Sequence, residues 1–528
     1  MTPSIDQQIR QFETTVDPAV LNGGGSREAA AYAALLLERD DPESIERASA
    51  IVRAIIRLQV DDPTSPVHGQ FPMVEAGEVG DLNAALFRMP ALIRILELAP
   101  GKLADHLLAD FDACVRRAVV AAERRWDEER FDLNRDFKAY TNVFLLYIQA
   151  LVLGGNHLAD ARLKRVALAQ WQRWFNHIAY WGIDEISPTY ADIDLEALTT
   201  IHRDTPDDRV RREAGEVLDY LSAIYHATTH PILKLPVSGS FRNYRKFLSH
   251  ADCQPRVVSQ GEFGSEAVRA EYRARRFPIT VRGRSTGQPF RYQCWQDANV
   301  AMGSMTGGNY FWQQIHCMVA VGESETDRAV MFVPGQFTPT NGYVAQHEST
   351  ALCVFNRRPN HLHRTQYPMP DDKVHAYQKQ HGIGFSDGWA VHPDGAVNLI
   401  ASAFGFEVRI QPFIIDDQAV LATALRPARH NDMGQEGFHR RPAEFAGYLF
   451  PVEAEWFGCV VTVAKAGQLL EEPVVTCDRA QRVLTVSTDQ PPLGVRLFDQ
   501  PSGEVTELYD DDWRITPLLA SPACTLWP

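Results

Sequence analysis

The sequence predicts an α+β multidomain chain, with a helical-hairpin array over residues 1–250 and an antiparallel sheet domain over residues 251–528. Three observations carry this reading. Apolar residues recur at the helical period as far as about residue 230. After about residue 275, short runs of Val, Ile, Phe and Tyr alternate with Gly, Pro and Asn. One helix-start pattern also returns at a near-constant step, as a repeat architecture requires. Helices collected ahead of strands segregate into separate α and β domains.

In chain order, the helical runs are 26-SREAAAYAALLLERD, 43-ESIERASAIVRAIIRL, 80-GDLNAALFRMPALIRILEL and 101-GKLADHLLADFDACVRRAVVAAERRW. Then come 158-LADARLKRVALAQWQRWFNHIAYW, 191-ADIDLEALTTIHRD and 207-DDRVRREAGEVLDYLSAIYHA. Many open on Ser, Asp or Asn, whose side chains cap the first turn. Strands are predicted from runs such as 278-PITVRG, 315-IHCMVAVG, 329-AVMFVPG, 350-TALCVFN, 405-GFEVRIQPF and 458-CVVTVAKAG. The segment 230–256, between the two textures, is expected to line their junction.

The repeat is read from four helix starts. Taking Glu28, Asn83, Asn142 and Asp194 as markers, the steps are 55, 59 and 52 residues. Each step holds two helices. If alternate helices form an inner ring, their N-termini open onto one face, where free backbone N–H groups favour anions. On that geometry Asn83, Asn142 and Tyr190 are expected to face one cleft.

Composition narrows the function. A net charge of −15 argues against nucleic acid as the main partner, because phosphate binding needs a basic surface. No apolar run is long enough for a membrane span, and no secretory leader is evident, so a cytoplasmic location is expected. The eight cysteines are scattered with no C-x-x-C pair, which points to small core hydrophobes rather than a zinc ribbon. No cofactor is expected. His347 and the H-x-H pair His361 and His363 leave a structural divalent metal in the sheet domain as the alternative.

The pieces 81-DLNAALF, 140-YTNVFLL, 188-PTY and 346-QHESTALCVFNRRP, set in this architecture, resemble the α/α-toroid carbohydrate-active enzymes. The heparinase II/III-like and alginate-lyase-like polysaccharide lyases are the nearest in pattern. The resemblance implies an N-terminal α/α toroid, complete or partial, followed by a β-sandwich-like domain. It implies cleavage of a uronic-acid-containing oligosaccharide or polysaccharide by β-elimination, using a tyrosine, histidines, and an Asn or Arg that neutralises the uronate carboxylate. One departure matters: those lyases place an Asn-His pair at an inner-helix start, and here Asn142 is followed by Val143.

The residue types that elimination needs give the candidate site. Tyr190, Tyr244, His316 and Asn142 are the expected catalytic residues. Arg242, Arg245, Asn83, Trp181, Trp295 and Gln314 are the expected substrate contacts, the arginines as a carboxylate clamp and the tryptophans as stacking platforms. Two other readings use the same surfaces. A glycoside hydrolase would pair Glu185 with Asp81 or Asp194, and a sugar-binding module would use the cleft without proton chemistry.

Overall fold

A computed structural model describes residues 4–25, 27–72, 79, 82–127, 141–183, 185–188, 190–239, 263–285, 290–307, 315–333, 340–359, 382–415, 420–428, 446–451, 454, 456–468, 473–478, 483–487 and 493–496. Among the described residues ten helices come first: α1 (Ile5–Thr15), α2 (Pro18–Gly23), α3 (Arg27–Arg39), α4 (Pro42–Leu58), α5 (Ala84–Leu98), α6 (Asp105–Asp127), α7 (Thr141–His157), α8 (Ala161–Trp181), α9 (Ala191–Asp204) and α10 (Asp208–Thr228). Two short strands, β1 (Thr229–His230) and β2 (Leu235–Pro236), and helix α11 (Glu266–Arg273) precede the sheet region. The helical region is therefore followed by antiparallel strands, as the two sequence textures require.

By packing, the chain divides into two compact units. The first holds Met1–Asn176 and Glu196–Gly215, the second His177–Leu195 and Glu216–Pro528. This grouping crosses the chain more often than a cut at residue 250. The reason lies in α10, whose C-terminal part is tied to the strands. Arg275 donates to the carbonyls of His226 (2.6 Å) and Thr229 (2.9 Å) and to Gln296 Oε1 (3.0 Å). A cation at a helix C-terminus satisfies carbonyls that have no intrahelical donor.

In the first unit, α3 packs against α4 and α5, α5 against α6 and α7, and α6 against α4 and α7. The local causes are visible in each element. Asp41 caps α4 through the Ser44 N–H (3.0 Å), with Pro42 at the first position, where its missing donor costs nothing. Helix α4 buries one face, through Ala48, Ile51, Val52 and Ile55. Helix α7 is apolar on all sides and buried from Thr141 to Gly155, as a helix without a polar face must be. Gly154 permits the close approach of α6: a Cβ there would lie 2.5 Å from Val119 Cγ2.

Arg88 holds three segments of this unit together. Its guanidinium, 1% exposed, donates to the carbonyls of Gly25, Pro72 (2.9 Å) and Ala84 (3.1 Å) and lies 5.1 Å from the Phe71 ring centre. Burial lowers its pKa to about 10. The loops ahead of α3 and α5 are thereby fixed by one side chain.

The second unit contains β3 (Ile279–Ser285), β4 (Phe290–Asp297), β5 (Val300–Gly307), β6 (Cys317–Gly322), β7 (Arg328–Val333), β8 (Thr340–His347), β9 (Thr350–Pro359), β10 (Gly382–Phe385), β11 (Ala390–Asp394) and β12 (Asn398–Ala403). It continues with β13 (Phe406–Ile415), β14 (Val420–Ala422), β15 (Arg426–Ala428), β16 (Ala446–Leu449), β17 (Trp456–Lys465), β18 (Val474–Asp478), β19 (Val483–Ser487) and β20 (Leu493–Arg496). One sheet runs β15-β16-β10-β7-β6-β5-β4-β3, and a second runs β11-β12-β13-β17-β9-β8 with β14 on β13. The strands β18-β19-β20 form a third, smaller sheet.

The two large sheets bury one shared core that includes Met302, Val319, Met331, Cys353, Phe355, Ile410 and Val461. The run 351-ALCVF does not alternate in polarity because β9 is covered on both faces. Ala351, Cys353 and Phe355 enter the shared core, while Leu352 and Val354 pack with Leu484 and Val486 of β19. Cys317, Cys353 and Cys459 are 0% exposed and fill core positions. Burial, and then the neighbouring Cys317 and Cys459 thiols, hold Cys353 protonated, with its pKa well above the usual thiol value.

Candidate functional site

Residues 185–194 form a polar turn that leads into α9. The carbonyl of Ser187 accepts the N–H groups of Tyr190 (3.1 Å) and Ala191 (2.9 Å), and the carbonyl of Tyr190 accepts the Asp194 N–H (2.9 Å). Pro188 between them fixes its own φ and pushes Ser187 toward extended geometry, so the helix cannot start earlier. Asp192 and Asp194 occupy the first turn, where the exposed N–H ends favour negative charge.

The turn is buried to an unusual degree. Glu185 is 4% exposed, Ser187 0% and Asp194 2%. From α10, Tyr225 reaches the same place, and its hydroxyl accepts the Ser187 N–H at 3.5 Å. Burial raises the Tyr225 pKa well above 10, and the negative charges of Asp194, Glu185 and Asp192 raise it further. Two buried carboxylates thus stand around a phenol that stays protonated. Tyr190, one turn before Asp194 on the same helical line, is only half-buried. The turn thus carries one half-buried phenol, Tyr190, and two buried carboxylates, Glu185 and Asp194, near the buried phenol of Tyr225.

The other sequence-predicted residues fall as follows. Asn83 is half-buried at the N-cap of α5 and makes no side-chain cap bond. Asn142, the second residue of α7, is 1% exposed. These two lie in the first unit, whereas Tyr190, Glu185, Asp194, Trp181, Trp295 and His316 lie in the second. Trp181 ends α8, and Trp295 on β4 packs partly buried against the shared core. Tyr244, Arg242, Arg245, Gln314, Asp81, His361 and His363 lie outside the described residues.

His316 is enclosed rather than presented. Its Nδ1 bonds the Met305 carbonyl at 3.2 Å, and its ring lies 5.6 Å from that of Phe355. The ring also fills the space over Gly342, where a Cβ would come within 2.5 Å of it. Burial lowers its pKa to about 4, so the imidazole is neutral at physiological pH. A cation that lowers the pKa of a nearby phenol is therefore not supplied by His316.

Tyr225 was not legible as a site residue, since 207-DDRVRREAGEVLDYLSAIYHA reads as an ordinary amphipathic helix. The only signal was the crowd of carboxylates at 185–194, which needs a buried partner. Among the described residues no group of His, Cys, Asp and Glu side chains is placed to hold a metal ion. No described helix is long and apolar enough to cross a membrane.

A family model described as a domain of unknown function (DUF8769) matches residues 12–238, from within α1 to just beyond β2. No curated protein matches the chain.

Proposed function

We propose that the chain is a carbohydrate-processing enzyme that cleaves a uronic-acid-containing oligosaccharide by β-elimination, with Tyr190 as the proton-transfer residue. The observation that carries this is the contrast in exposure at the start of α9. Tyr190 is half-buried, whereas Glu185 and Asp194 are 4% and 2% exposed. A group that meets a sugar must reach it, and Tyr190, unlike Glu185 and Asp194, is a half-buried side chain of this turn that carries a phenol proton. On this reading the helical region is an α/α toroid. The succession of α3, α5 and α7 as neighbours, each with a flanking helix, supports that assignment.

The chemistry follows from the residue types. In β-elimination the base takes the proton at C5, the C4–O bond breaks, and a C4=C5 double bond forms. The departing oxygen takes up a proton from an acid. Tyr190 serves as base in its ionised form and can return the proton to the leaving oxygen. The buried acidic cluster and Tyr225 hold the turn that aims it. The substrate carboxylate must be neutralised for C5 to become acidic, a role for which cationic side chains are suited.

A second reading, glycoside hydrolysis by Glu185 and Asp194, is favoured by one observation: both carboxylates act on the same Tyr225 phenol. A panel of uronate oligosaccharides separates the two. New ultraviolet absorbance from an unsaturated product means elimination, and reducing ends without it mean hydrolysis. Tyr190→Phe keeps the ring and removes the hydroxyl, and is expected to lower turnover by about 100-fold or more with an unchanged melting temperature. An active Tyr190→Phe beside a dead Glu185→Gln overturns the elimination mechanism. No turnover of any member leaves a sugar-binding module.

A further inference from the structure

Among the described residues, three cysteines meet inside the second unit. Cys353 on β9 and Cys459 on β17 are partners in register, directly opposite each other on neighbouring antiparallel strands. Both point into the shared core, where Cys317 joins them from β6 of the facing sheet. All three are free thiols and 0% exposed. The Cys353 thiol is in hydrogen-bond contact with those of Cys459 and Cys317. Packing alone does not call for sulfur here, since any small apolar side chain fills such a position.

Backbone spacing decides which two can be joined. A disulfide holds its two Cα atoms about 4.4–6.8 Å apart. Across β9 and β17, Val463 N donates to the Ser349 carbonyl (2.9 Å), one step beyond the Thr350–Thr462 pair. Hydrogen-bonded and non-hydrogen-bonded pairs alternate along an antiparallel ladder. Every second residue from Ser349 leads through Ala351 to Cys353, so Cys353 and Cys459 form a hydrogen-bonded pair. The Cα atoms of such a pair lie about 5.5 Å apart, inside the range that a disulfide spans. Cys317 belongs to the facing sheet, and packed sheets lie about 10 Å apart. Its thiol touches that of Cys353, but its backbone stands too far away for a bridge.

We infer that Cys353 and Cys459 are the site of a cross-strand disulfide that locks β9 to β17, with Cys317 left as a thiol. The oxidant is a low-molecular-weight disulfide, here oxidised glutathione. The thiolate of one cysteine attacks its S–S bond, releases one glutathione thiolate and leaves a mixed disulfide on the protein. The thiolate of the other cysteine then attacks the protein-bound sulfur. The bond between the two cysteines forms, and the second glutathione thiolate leaves. The protein gives up two electrons and two protons, and oxidised glutathione takes them up as two thiols. The thiolate is the attacking species, and the closed core admits neither solvent nor oxidant. Exchange therefore proceeds while β9 and β17 are open, during folding or unfolding. This inference is independent of the carbohydrate reading, since it uses only strand register and thiol packing.

The test is refolding of the full chain. Reduced protein is unfolded in urea and diluted into a buffer of oxidised and reduced glutathione at about pH 8. It is then alkylated and digested for peptide mapping. The expected map joins the Cys353 and Cys459 peptides, with loss of two hydrogens, and finds Cys317 alkylated. Cys317→Ala is expected to keep the bridge. Cys459→Ala is expected to lose it without gaining a link between Cys317 and Cys353. The urea midpoint of the bridged chain is expected to lie roughly 1 M above that of the chain kept reduced, because joining residues far apart in sequence constrains the unfolded chain strongly. If Cys459→Ala does not refold, the wild-type map and midpoint decide. Four results overturn the inference: a bridge to Cys317, a Cys353–Cys459 link no more frequent than links to Cys114 or Cys294, free thiols at Cys353 and Cys459 after refolding, or a midpoint that is unchanged or lower.

Discussion

Lowering the pH from 7 to 4 should destabilise the second unit through two buried histidines, and the structure sets the size of the effect. His230 is 0% exposed and lies against Phe277 at 5.1 Å. Its Nε2 bonds the Asp297 carbonyl (2.7 Å), while Nδ1 accepts the N–H groups of Ile232 (3.2 Å) and Leu233 (3.1 Å). A proton on Nδ1 would break both of those bonds. His316 is enclosed by Phe355 and Gly342, with Nδ1 on the Met305 carbonyl. Burial is the first cause in each case, and both pKa values are lowered from 6.5 to about 4. Between these limits the unfolded chain binds more protons than the folded one. Stability is therefore flat above about pH 6.5 and falls as pH drops toward 4. A shift of that size corresponds to about 3 kcal/mol per imidazole. The assay is urea unfolding near pH 7 and near pH 4, with His316→Asn and His230→Asn as controls. Each variant has no proton to take up, so the wild type should lose about 3 kcal/mol more than either across this range. Parallel losses in wild type and His316→Asn would refute the reasoning, because the imidazole would then be free to charge in place.

Other outcomes follow from single contacts. Arg88→Met should cost about 3 kcal/mol in urea unfolding, because three buried carbonyls lose their donor while the apolar stem is kept; a loss below about 1 kcal/mol would mean that water replaces the guanidinium. Cys317, Cys353 and Cys459 should resist an aromatic disulfide reagent in the native protein and react only after unfolding, since all three are buried and Cys353 is held protonated. Rapid native labelling at any of the three would contradict the shared core.

Much of the architecture could be read from local pattern. The 3.6-residue period in 43-ESIERASAIVRAIIRL is the buried face of α4, because one amphipathic stripe needs only one partner surface. The short apolar runs became strands for a similar reason. The recurring starts near Glu28, Asn83, Asn142 and Asp194 fall close to the first residues of α3, α5, α7 and α9. The crowding of carboxylates at 185–194 also marked, from sequence, a place where polar groups gather beyond what a helix cap needs.

What only the tertiary structure decided was which of those polar groups are reachable and what stands opposite them. Exposure is a property of the surroundings, so sequence could not separate half-buried Tyr190 from enclosed Asp194 or His316. Strand pairing is non-local, so the placing of Cys353 in the shared core and of Leu352 against Leu484 depends on register. Tyr225 lies 38 residues from Ser187 in the chain, and only the packing of α10 brings its hydroxyl to that turn. The sequence determines the elements through periodicity and capping, which act over a few residues. The site depends on burial and register, which arise only when distant segments meet.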